Sequence, residues 1–424
     1  MLTLFGDSGV SINRDRKDTD HFTNGSDDSQ KSAHGTVNRR KVLRSVATVG
    51  AVGALSGVTA LGDTAENPFD ASDSDSGPTT LEGRLIVGED MSVIKGRVTI
   101  EGGTISSIEE QGVESDDIIL PSFINPHTHI TDSHAKEDAR GFNWTELFVD
   151  PGLKSQLNSN ATQDEIDDSM SRTMDLMKQG GTGAFVDFKE LGLGGAENLE
   201  RLDQTTPVEA YTLLTGEGLP KDINLQAEIE QADGYNAYYP YTDQDERARE
   251  ICGQIGKIFA LHSGEPSAED IDASLALNPD YTSHMVQARP RDYGVLAEKE
   301  IGVAAQLRSN LVILGELPPL ELLHEYTTVA LGTDNVMLNS TSMFREMEFA
   351  SKNFNIPTRD ILRMATINGA RLLGQGEHMG SLDEGKRARM TVLSTDGGLE
   401  EVEDEVAGIV RRASIADVKR VVLQ

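Results

Sequence analysis

The chain has one cysteine, Cys252, among its 424 residues, so no intramolecular disulfide can form. This absence does not fix the compartment, because exported proteins can also lack disulfides. Cys252 lies in a helix-like stretch ahead of a strand, Arg247-Ala-Arg-Glu-Ile-Cys-Gly-Gln-Ile255, where a small buried thiol is the expected role. We therefore expect neither a disulfide framework nor a cysteine nucleophile.

Basic residues are scarce: Lys and Arg number 38 against 70 Asp and Glu, which gives a formal net charge of −32. The acidic excess runs along the whole chain and repels polyanions, so we expect no nucleic-acid partner. Dense carboxylates keep a protein hydrated at high salt, and the composition favours a halophilic surface over an acidic binding function. A hydrophobic fraction of 37% is still enough for a sizeable core.

Residues 1–62 are expected to form a polar leader and an export signal. Positions 1–37 are rich in Asp, Ser, Asn and Lys and lack the periodicity that burial requires. Arg39 and Arg40 precede a mildly apolar, uncharged stretch from Ser45 to Gly62, which is typical of a twin-arginine (Tat) signal for proteins exported already folded. No cysteine ends the stretch, which excludes a lipoprotein anchor there.

The mature protein is therefore expected outside the cytoplasmic membrane, starting near Asp63, with no stable membrane insertion after signal removal. The alternatives are an uncleaved membrane anchor, an accidental arginine pair, or a cytoplasmic protein that keeps its leader. Residues 63–80, which include Asp73-Ser-Asp-Ser76, are expected to form a disordered acidic linker.

Strand-like runs alternate with helical patterns in the centre of the chain. The runs cover 122–128, 183–188, 208–215, 235–240, 257–262, 280–284, 301–306 and 328–333. Between the first two, Thr162 and Glu165 have the spacing of a capping box before a helix with Ile166, Met170, Met174 and Met177 on one face. Such alternation over about 250 residues is the signature of a (β/α)8 TIM barrel, whose active site lies at the C-terminal ends of the strands.

Two histidines spaced i, i+2 end the first run, in Pro121-Ser-Phe-Ile-Asn-Pro-His-Thr-His129, and this spacing places both rings on one face of a strand. Later runs end in further candidate groups: His262 with Glu265, then His284, then Asp334. A catalytic metal needs neutral imidazoles and a carboxylate that converge from several strand ends, with one position open for water. The order of these residues predicts a metal site at the C-terminal end of the barrel.

The chain resembles the metal-dependent amidohydrolase superfamily, in particular its cytosine deaminase, S-adenosylhomocysteine deaminase and chlorohydrolase-like branch. Matching stretches run from about Leu81 to the C-terminus. Besides the candidate ligands they include Arg308-Ser-Asn310, Leu331-Gly-Thr-Asp-Asn335, Ala365-Thr-Ile-Asn-Gly-Ala370 and Gly380-Ser-Leu-Asp-Glu-Gly385. Relatives often have Cys-Pro where this chain has Gln306-Leu307-Arg308, which leaves the substrate open.

The resemblance implies an α/β fold, a TIM barrel at residues 122–375 with a small β-sandwich domain built discontinuously from 81–121 and 376–424. Short strand-like runs near both ends of this region agree with it. In the C-terminal part they are Met390-Thr-Val-Leu, Gly408-Ile-Val and Val418-Lys-Arg-Val-Val-Leu.

The resemblance also implies that one divalent metal ion, zinc or alternatively iron, is held by His127, His129, His262 and Asp334. Relatives with two metals carry a modified bridging lysine at the end of the fourth strand, and the stretch 235–241 contains no lysine. Lys189 follows the second strand instead, where we expect a loop charge or a minor pocket residue.

Three residues receive catalytic roles from the resemblance. Glu265 would shuttle protons to a substrate ring nitrogen, His284 would help to activate the water, and Asp334 would also accept the proton of that water. Candidate substrate contacts follow the first and seventh strands: Asp132, Arg140, Trp144, Arg308 and Asn310.

We therefore expect a metal-dependent hydrolase, a deaminase that acts on the C–N bond of a cyclic amidine or aminated heterocycle through a metal-activated water. The substrate would be a small molecule, and self-association into a homo-oligomer is left open. The alternatives are hydrolysis of a ring amide or a C–Cl bond, or a non-catalytic barrel retained as a binding protein, against which the intact ligand set argues.

Overall fold

The computed structural model describes residues 78–424 except 150–151, 190–198, 200–201, 203–205, 217–218 and 220–222. The leader and signal assigned to residues 1–62, with Arg39 and Arg40, and the linker up to residue 77 lie outside the described residues. Within the described ranges, no helix combines the length and the apolar character needed to cross a bilayer.

The described chain contains two β-sheets and a series of helices. In chain order the strands are β1 (Thr79–Val87), β2 (Ser92–Glu101), β3 (Thr104–Glu110), β4 (Ile118–Pro121), β5 (Phe123–His129), β6 (Thr182–Lys189), β7 (Glu209–Thr215), β8 (Gly234–Ala237), β9 (Ile258–Ser263), β10 (Tyr281–His284), β11 (Gly302–Ala305), β12 (Val329–Leu331), β13 (Asp334–Asn335), β14 (Arg389–Leu393) and β15 (Val418–Leu423). The α-helices cover Trp144–Phe148, Leu153–Asn160, Gln163–Gln179, Leu225–Gln231, Asp243–Ile255, Ile271–Ala276, Pro290–Glu298, Leu307–Leu314, Leu320–Tyr326, Met343–Asn353, Thr358–Ala365, Ile367–Leu372 and Glu405–Arg412, and 3-10 helices cover Ile130–Ala135 and Ile415–Asp417.

Strands β5 to β13 form one sheet in which each strand runs parallel to its neighbours. β12 pairs with β11, whereas β13 pairs with β5, with Asp334 opposite Thr128 and Asn335 opposite His129. The eighth strand-like run thus joins the last part of the sheet to its first strand. The predicted TIM-barrel-like α/β fold is confirmed, and the C-terminal ends of its strands lie at one end of the sheet.

The eighth run is interrupted between β12 and β13, where the backbone passes close to β5. A Cβ atom on Gly332 would lie 2.9 Å from His127 Cβ and 3.3 Å from Gln306 Nε2, so only glycine fits there. The next residue, Thr333, donates its backbone N–H to Asn125 Oδ1 at 3.1 Å. These contacts carry the strand past residue 333, where the predicted run ended, and place Asp334 beside the first strand.

Each of the other predicted barrel strands has a counterpart within a few residues of its expected limits. The fourth differs most, because β8 ends at Ala237 and not at residue 240. Most barrel strands are buried on both faces, as parallel strands covered by helices are.

Both ends of the described chain contribute to the second sheet, whose strand order is β15-β14-β4-β1-β2-β3. β1 pairs antiparallel with β2 and parallel with β4, and β14 lies antiparallel between β4 and β15. β1 starts at Thr79, two residues before the predicted boundary. A separate β-sandwich domain made of 81–121 and 376–424 stays a prediction.

The strand predicted at residues 408–410 is wrong, because Glu405–Arg412 is an α-helix. Its buried residues Val406, Ile409 and Val410 recur at helical spacing, and Asp404 caps the N-terminus by accepting the backbone N–H of Ala407. A three-residue apolar run is too short to separate a strand from one turn of a buried helix.

The helix Gln163–Gln179 confirms the predicted capping box, in which Thr162 and Glu165 satisfy each other's backbone N–H groups. Its methionines pack in a buried cluster with Ile130 and Phe185, as expected for core residues. Cys252 is fully buried in the helix Asp243–Ile255, and burial raises the pKa of its thiol to about 12. The expectation of an unreactive thiol agrees with this.

Candidate active site

Five predicted site residues lie at one end of the barrel, on four of its strands. His127 and His129 end β5, His262 lies near the end of β9, His284 ends β10 and Asp334 starts β13. Because parallel strands bring their carboxyl ends to one edge, residues far apart in the sequence meet there. The described chain thus brings all five together.

The side chains of this cluster are close enough to share an ion. Asp334 Oδ1 lies 3.2 Å from His127 Nε2 and 3.5 Å from His129 Nε2. Ligand atoms of His127, His129 and His262 lie within 4.8 Å of one another, and so do those of His127, His284 and Asp334. The three-histidine and aspartate set predicted from the sequence could therefore hold a metal ion.

The protonation states of the cluster suit a metal. Burial lowers the pKa of His127 to about 3 and that of His129 to about 4, and it lowers the pKa of His262 well below its ordinary value. Burial opposes ionisation of Asp334, but the hydrogen bond and charge interactions with His127 outweigh it and hold the pKa of this carboxyl well below its usual range. At neutral pH these three histidines are therefore neutral and Asp334 is a carboxylate, the forms that bind metals.

Two residues of the cluster have backbone conformations that side chains other than glycine rarely adopt. The φ angles of His284 and Asp334 are 71° and 62°, in the left-handed region. Such strain costs about 1–3 kcal/mol per residue and persists only where neighbours hold it. At His284 the backbone N–H donates to Gln306 Oε1 at 2.9 Å, and the next residue, Met285, donates to the carbonyl of Ser263 at 3.0 Å.

Polar side chains that sequence reasoning missed hold the cluster in place. Ser283 Oγ is hydrogen-bonded to His127 Nδ1 at 2.7 Å, which directs Nε2 of that ring towards Asp334. Ser309 Oγ donates to Asp334 Oδ2 at 2.5 Å. Ser283 directly precedes His284, and Ser309 lies inside the Arg308-Ser-Asn310 motif. Their places next to predicted site residues were the only sign in the sequence that they could contact the site.

Aromatic rings pack against the histidines. The centroid of Phe188 lies 4.1 Å from that of His127 and 5.0 Å from that of His262. Tyr238 stacks on His262 with centroids 4.2 Å apart and an interplanar angle of 23°. This packing fixes the rings and removes water from them, which is the physical cause of their low pKa values.

Glu265 follows β9 after the left-handed Gly264, whose backbone N–H donates to both carboxylate oxygens of Asp270, at 3.1 and 3.0 Å. Glu265 Oε1 lies 3.9 Å from His284 Nδ1. Burial raises the pKa of Glu265, and the nearby charge of His284 only partly offsets this. Glu265 therefore lies beside the cluster as a carboxyl that keeps its proton to higher pH than an ordinary glutamate.

Asp132 is the first of the three substrate contacts predicted after the first strand. Asp132 is buried and accepts hydrogen bonds from Asn158 and Asn335, at 2.9 and 2.7 Å, with Lys154 Nζ at 3.1 Å. Its carboxylate thus ties the segment after β5 to β13 and to the helix Leu153–Asn160. Lys154, which sequence reasoning missed, also lies close enough to lower the pKa of His129.

Arg140 and Trp144 occupy the same segment. Arg140 is exposed, whereas Trp144 is partly buried at the first position of the helix Trp144–Phe148. The indole of Trp144 is near enough to Glu265 to favour its ionised form, against the larger effect of burial. Trp144 is thus brought to the site and Arg140 lies at the surface.

The predicted contacts after the seventh strand have partners within the protein. Arg308 Nε donates to Glu346 Oε1 at 2.6 Å, and Arg308 Nη2 donates to the carbonyl of Ser340 at 2.7 Å. Asn310 is fully buried, with Nδ2 hydrogen-bonded to His284 Nδ1 at 2.9 Å. Their roles towards a substrate stay predictions.

Of the two roles expected for Lys189, the loop charge is wrong, because the residue is the last of β6 and is buried, and the minor pocket residue stays a prediction. Its ammonium donates to Thr131 Oγ1 at 2.8 Å and lies 3.5 Å from Asp187 Oδ2. A buried lysine needs such partners, and they come from the neighbouring strand end and its own strand, which the linear sequence does not show.

Comparisons with known proteins agree with this geometry. Residues 118–422 match the family model described as the amidohydrolase family. A protein of Archaeoglobus fulgidus named "Putative aminohydrolase" is 31% identical over 323 residues, 75% of this chain and 90% of that protein. A 5-methylthioadenosine/S-adenosylhomocysteine deaminase of Caldanaerobacter subterraneus subsp. tengcongensis is 26% identical over 363 residues, 73% of this chain and 82% of that protein.

Among solved structures, an adenosine deaminase of Xanthomonas campestris with bound zinc superposes with a TM-score of 0.71 at 19% identity. The match covers 81% of this chain and 91% of that one. At this identity the likeness shows a shared fold.

Proposed function

Because this chain belongs to the amidohydrolase family and is a hydrolase that acts on carbon–nitrogen bonds, we propose that it removes ammonia from a cyclic amidine or an aminated heterocycle. The match of residues 118–422 to the family model confirms the family resemblance drawn from the motifs. The observation that carries the proposal is the meeting of His127, His129, His262, Asp334 and Glu265 at one end of the barrel.

We propose His127, His129, His262 and Asp334 as the ligands of one divalent metal ion, zinc with iron as the alternative. The donor set fits such an ion, since burial keeps the imidazoles neutral and Asp334 is ionised. In addition, His262 Nδ1 is buried without a hydrogen-bond partner in the described part of the chain. When bound, the ion would supply the Lewis acidity that makes water a nucleophile near neutral pH.

Glu265 is proposed to carry the proton that the substrate ring receives. Its raised pKa favours a protonated carboxyl, and a carboxylic acid within reach of a ring nitrogen is a general acid suited to that transfer. Asp334 would accept a proton at Oδ1, because Ser309 already occupies Oδ2. His284, whose ring centroid lies 5.2 Å from that of His262, would orient the attacking water.

The rival functions are less well supported. Relatives at 31% and 26% identity are named for the removal of amino groups, which disfavours hydrolysis of a ring amide or a C–Cl bond. A non-catalytic binding protein would have no need for a ligand set held in strained backbone conformations beside an acid with a raised pKa. The substrate walls are proposed to include Trp144 near Glu265, with Asp132, Arg140 and Arg308 as further candidates.

The proposal is tested by measuring ammonia release from a panel of aminated purines, pyrimidines and triazines, together with the metal content of the protein. We expect turnover of at least one compound and about one metal ion per chain. Asp334→Ala should abolish both. Full activity of Asp334→Ala would refute the site assignment, and a metal-loaded protein that releases ammonia from no compound of the panel would refute deamination of these classes.

We also propose that the protein is exported by the twin-arginine route into salty surroundings. The support is the pair Arg39-Arg40, the weakly apolar stretch ending at Gly62 and the net charge of −32. Export in the folded state would let the metal bind before the enzyme meets competing ions outside.

A further inference from the structure

The first turn of the helix Leu307–Leu314 reaches two residues of the site at once. Adjacent side chains, Ser309 and Asn310, are hydrogen-bonded to Asp334 and His284 respectively. We propose that this pair is a positioning element for the reaction, one that fixes Asp334 and His284 and does not contact the substrate. The inference rests on the proposed function for the roles of Asp334 and His284.

Burial and distance support a positioning role. Ser309, Asn310 and His284 are each at most 1% exposed, so these hydrogen bonds form away from bulk water, where they are strongest. Ser309 Oγ donates to Asp334 Oδ2 at 2.5 Å, which leaves Oδ1 for the histidines. Asn310 Nδ2 is hydrogen-bonded to His284 Nδ1 at 2.9 Å. This bond directs the opposite edge of the imidazole away from the helix Leu307–Leu314.

The two residues that the pair holds are the two members of the site cluster with left-handed backbones. His284 and Asp334 both have left-handed φ angles, 71° and 62°, and each needs contacts that prevent its relaxation. The same segment contributes Gln306, whose Oε1 accepts the backbone N–H of His284 at 2.9 Å. His284 is therefore held through both its backbone and its ring by one short stretch of chain.

The segment is itself anchored to the protein. Arg308 lies between Gln306 and Ser309 in the sequence. It donates to the fully buried Glu346 and to the carbonyl of Ser340. These contacts connect the first turn to the loop after β13 and to the helix Met343–Asn353. A rigid support of this kind is what a positioning pair requires, because movement of the helix would move both catalytic groups.

The test compares Ser309→Thr with Ser309→Val, which have the same shape and differ in the hydroxyl, and adds Asn310→Leu. Ser309→Val should lower the affinity for zinc and kcat by about 10–100-fold, and Asn310→Leu should lower kcat by a similar factor. KM should stay within about twofold, because neither side chain would touch the substrate. Ser309→Thr should retain most of the affinity and activity, since it keeps the donor.

Two buried residues away from the site serve as controls. Asn368 also donates through Nδ2, to the carbonyl of Val329 at 2.8 Å, and Ser169 Oγ donates to the carbonyl of Ile166 at 2.8 Å. Asn368→Leu and Ser169→Ala should reduce thermal stability without changing kcat or zinc affinity. An equal fall of kcat in the control Asn368→Leu would show a general effect of lost packing and would overturn the inference.

Two further outcomes would overturn it. A rise of KM with unchanged kcat in Asn310→Leu would make this residue a substrate contact. Equal zinc affinity in Ser309→Thr and Ser309→Val would show that the hydroxyl does not position Asp334. Zinc affinity is measured by competition with a chromophoric chelator and needs no turnover, so failure of the positioning role is distinguishable from failure of the proposed deamination.

Discussion

Lowering the pH should destabilise the metal-free protein through His127, whose pKa burial lowers from 6.5 to about 3. The unfolded chain takes up a proton at this residue as the pH falls below 6.5, whereas the folded chain does so only near pH 3. The free energy of unfolding therefore decreases with decreasing pH throughout that window. From pH 6.5 to 5.0, at 1.36 kcal/mol per pH unit, the loss from this one residue is about 2 kcal/mol.

The assay isolates His127 by comparing the wild type with His127→Asn in the presence of a chelator. Urea unfolding at pH 7.5 and pH 5.0 gives the stability difference between the two proteins at each pH. The variant has no ring to protonate, so the difference should shift in its favour by about 2 kcal/mol at the lower pH. His378→Asn, which removes an exposed histidine, serves as the control.

A stability difference that is the same at both pH values would refute the reasoning. It would mean that burial does not hold His127 neutral in the folded state, and the supply of neutral imidazoles for a metal would need another explanation. A shift of the same size in His378→Asn would show instead that the effect is not specific to the buried cluster.

Two other perturbations follow from the structure and a third from the sequence. Phe188→Ala should cost about 3–5 kcal/mol of stability in urea unfolding and should weaken metal binding, because the ring packs against His127; unchanged metal affinity would argue against that support. Gly332→Ala should cost about 1–3 kcal/mol and lower metal content, since its Cβ would approach His127 Cβ to 2.9 Å, and full stability would contradict this close approach. Arg39→Lys with Arg40→Lys should keep the protein inside the cell in a fractionation experiment, and unaltered export would rule out the twin-arginine route.

The strands and the ligands at their ends could be predicted because both depend on short local patterns. The run before His127 and His129, for example, combines apolar residues with an i, i+2 spacing that only a strand places on one face. The candidate ligands were then expected to meet because parallel strands end at one edge. Local patterns were therefore sufficient to predict the ligands, because the parallel arrangement of the strands brings them together.

The supporting hydrogen bonds could not be predicted, because they join residues far apart in the chain. Ser283 and His127 are separated by 156 positions, and nothing around Ser283 in the sequence identifies its partner. Arg308 and Asn310 were expected to face a substrate, but the partners that the structure shows for them are Glu346 and His284. The loop position expected for Lys189 was wrong for the same reason, since its partner Thr131 lies on another segment.

The pairing of β13 with β5 has a consequence for the order of events during synthesis. The hydrogen bond between Asn125 and Thr333, next to this pairing, joins positions 208 residues apart. A ribosome adding about 5–20 residues per second would thus expose the first two histidines for roughly 10–40 s before the closing strand arrives. During that interval a nascent chain could capture a metal ion through its histidine pair alone, without the selectivity that the complete, rigid cavity provides. Secure loading must therefore wait for the whole barrel to be released and closed, which ties the choice of ion to the conditions where folding ends and not to those where translation begins.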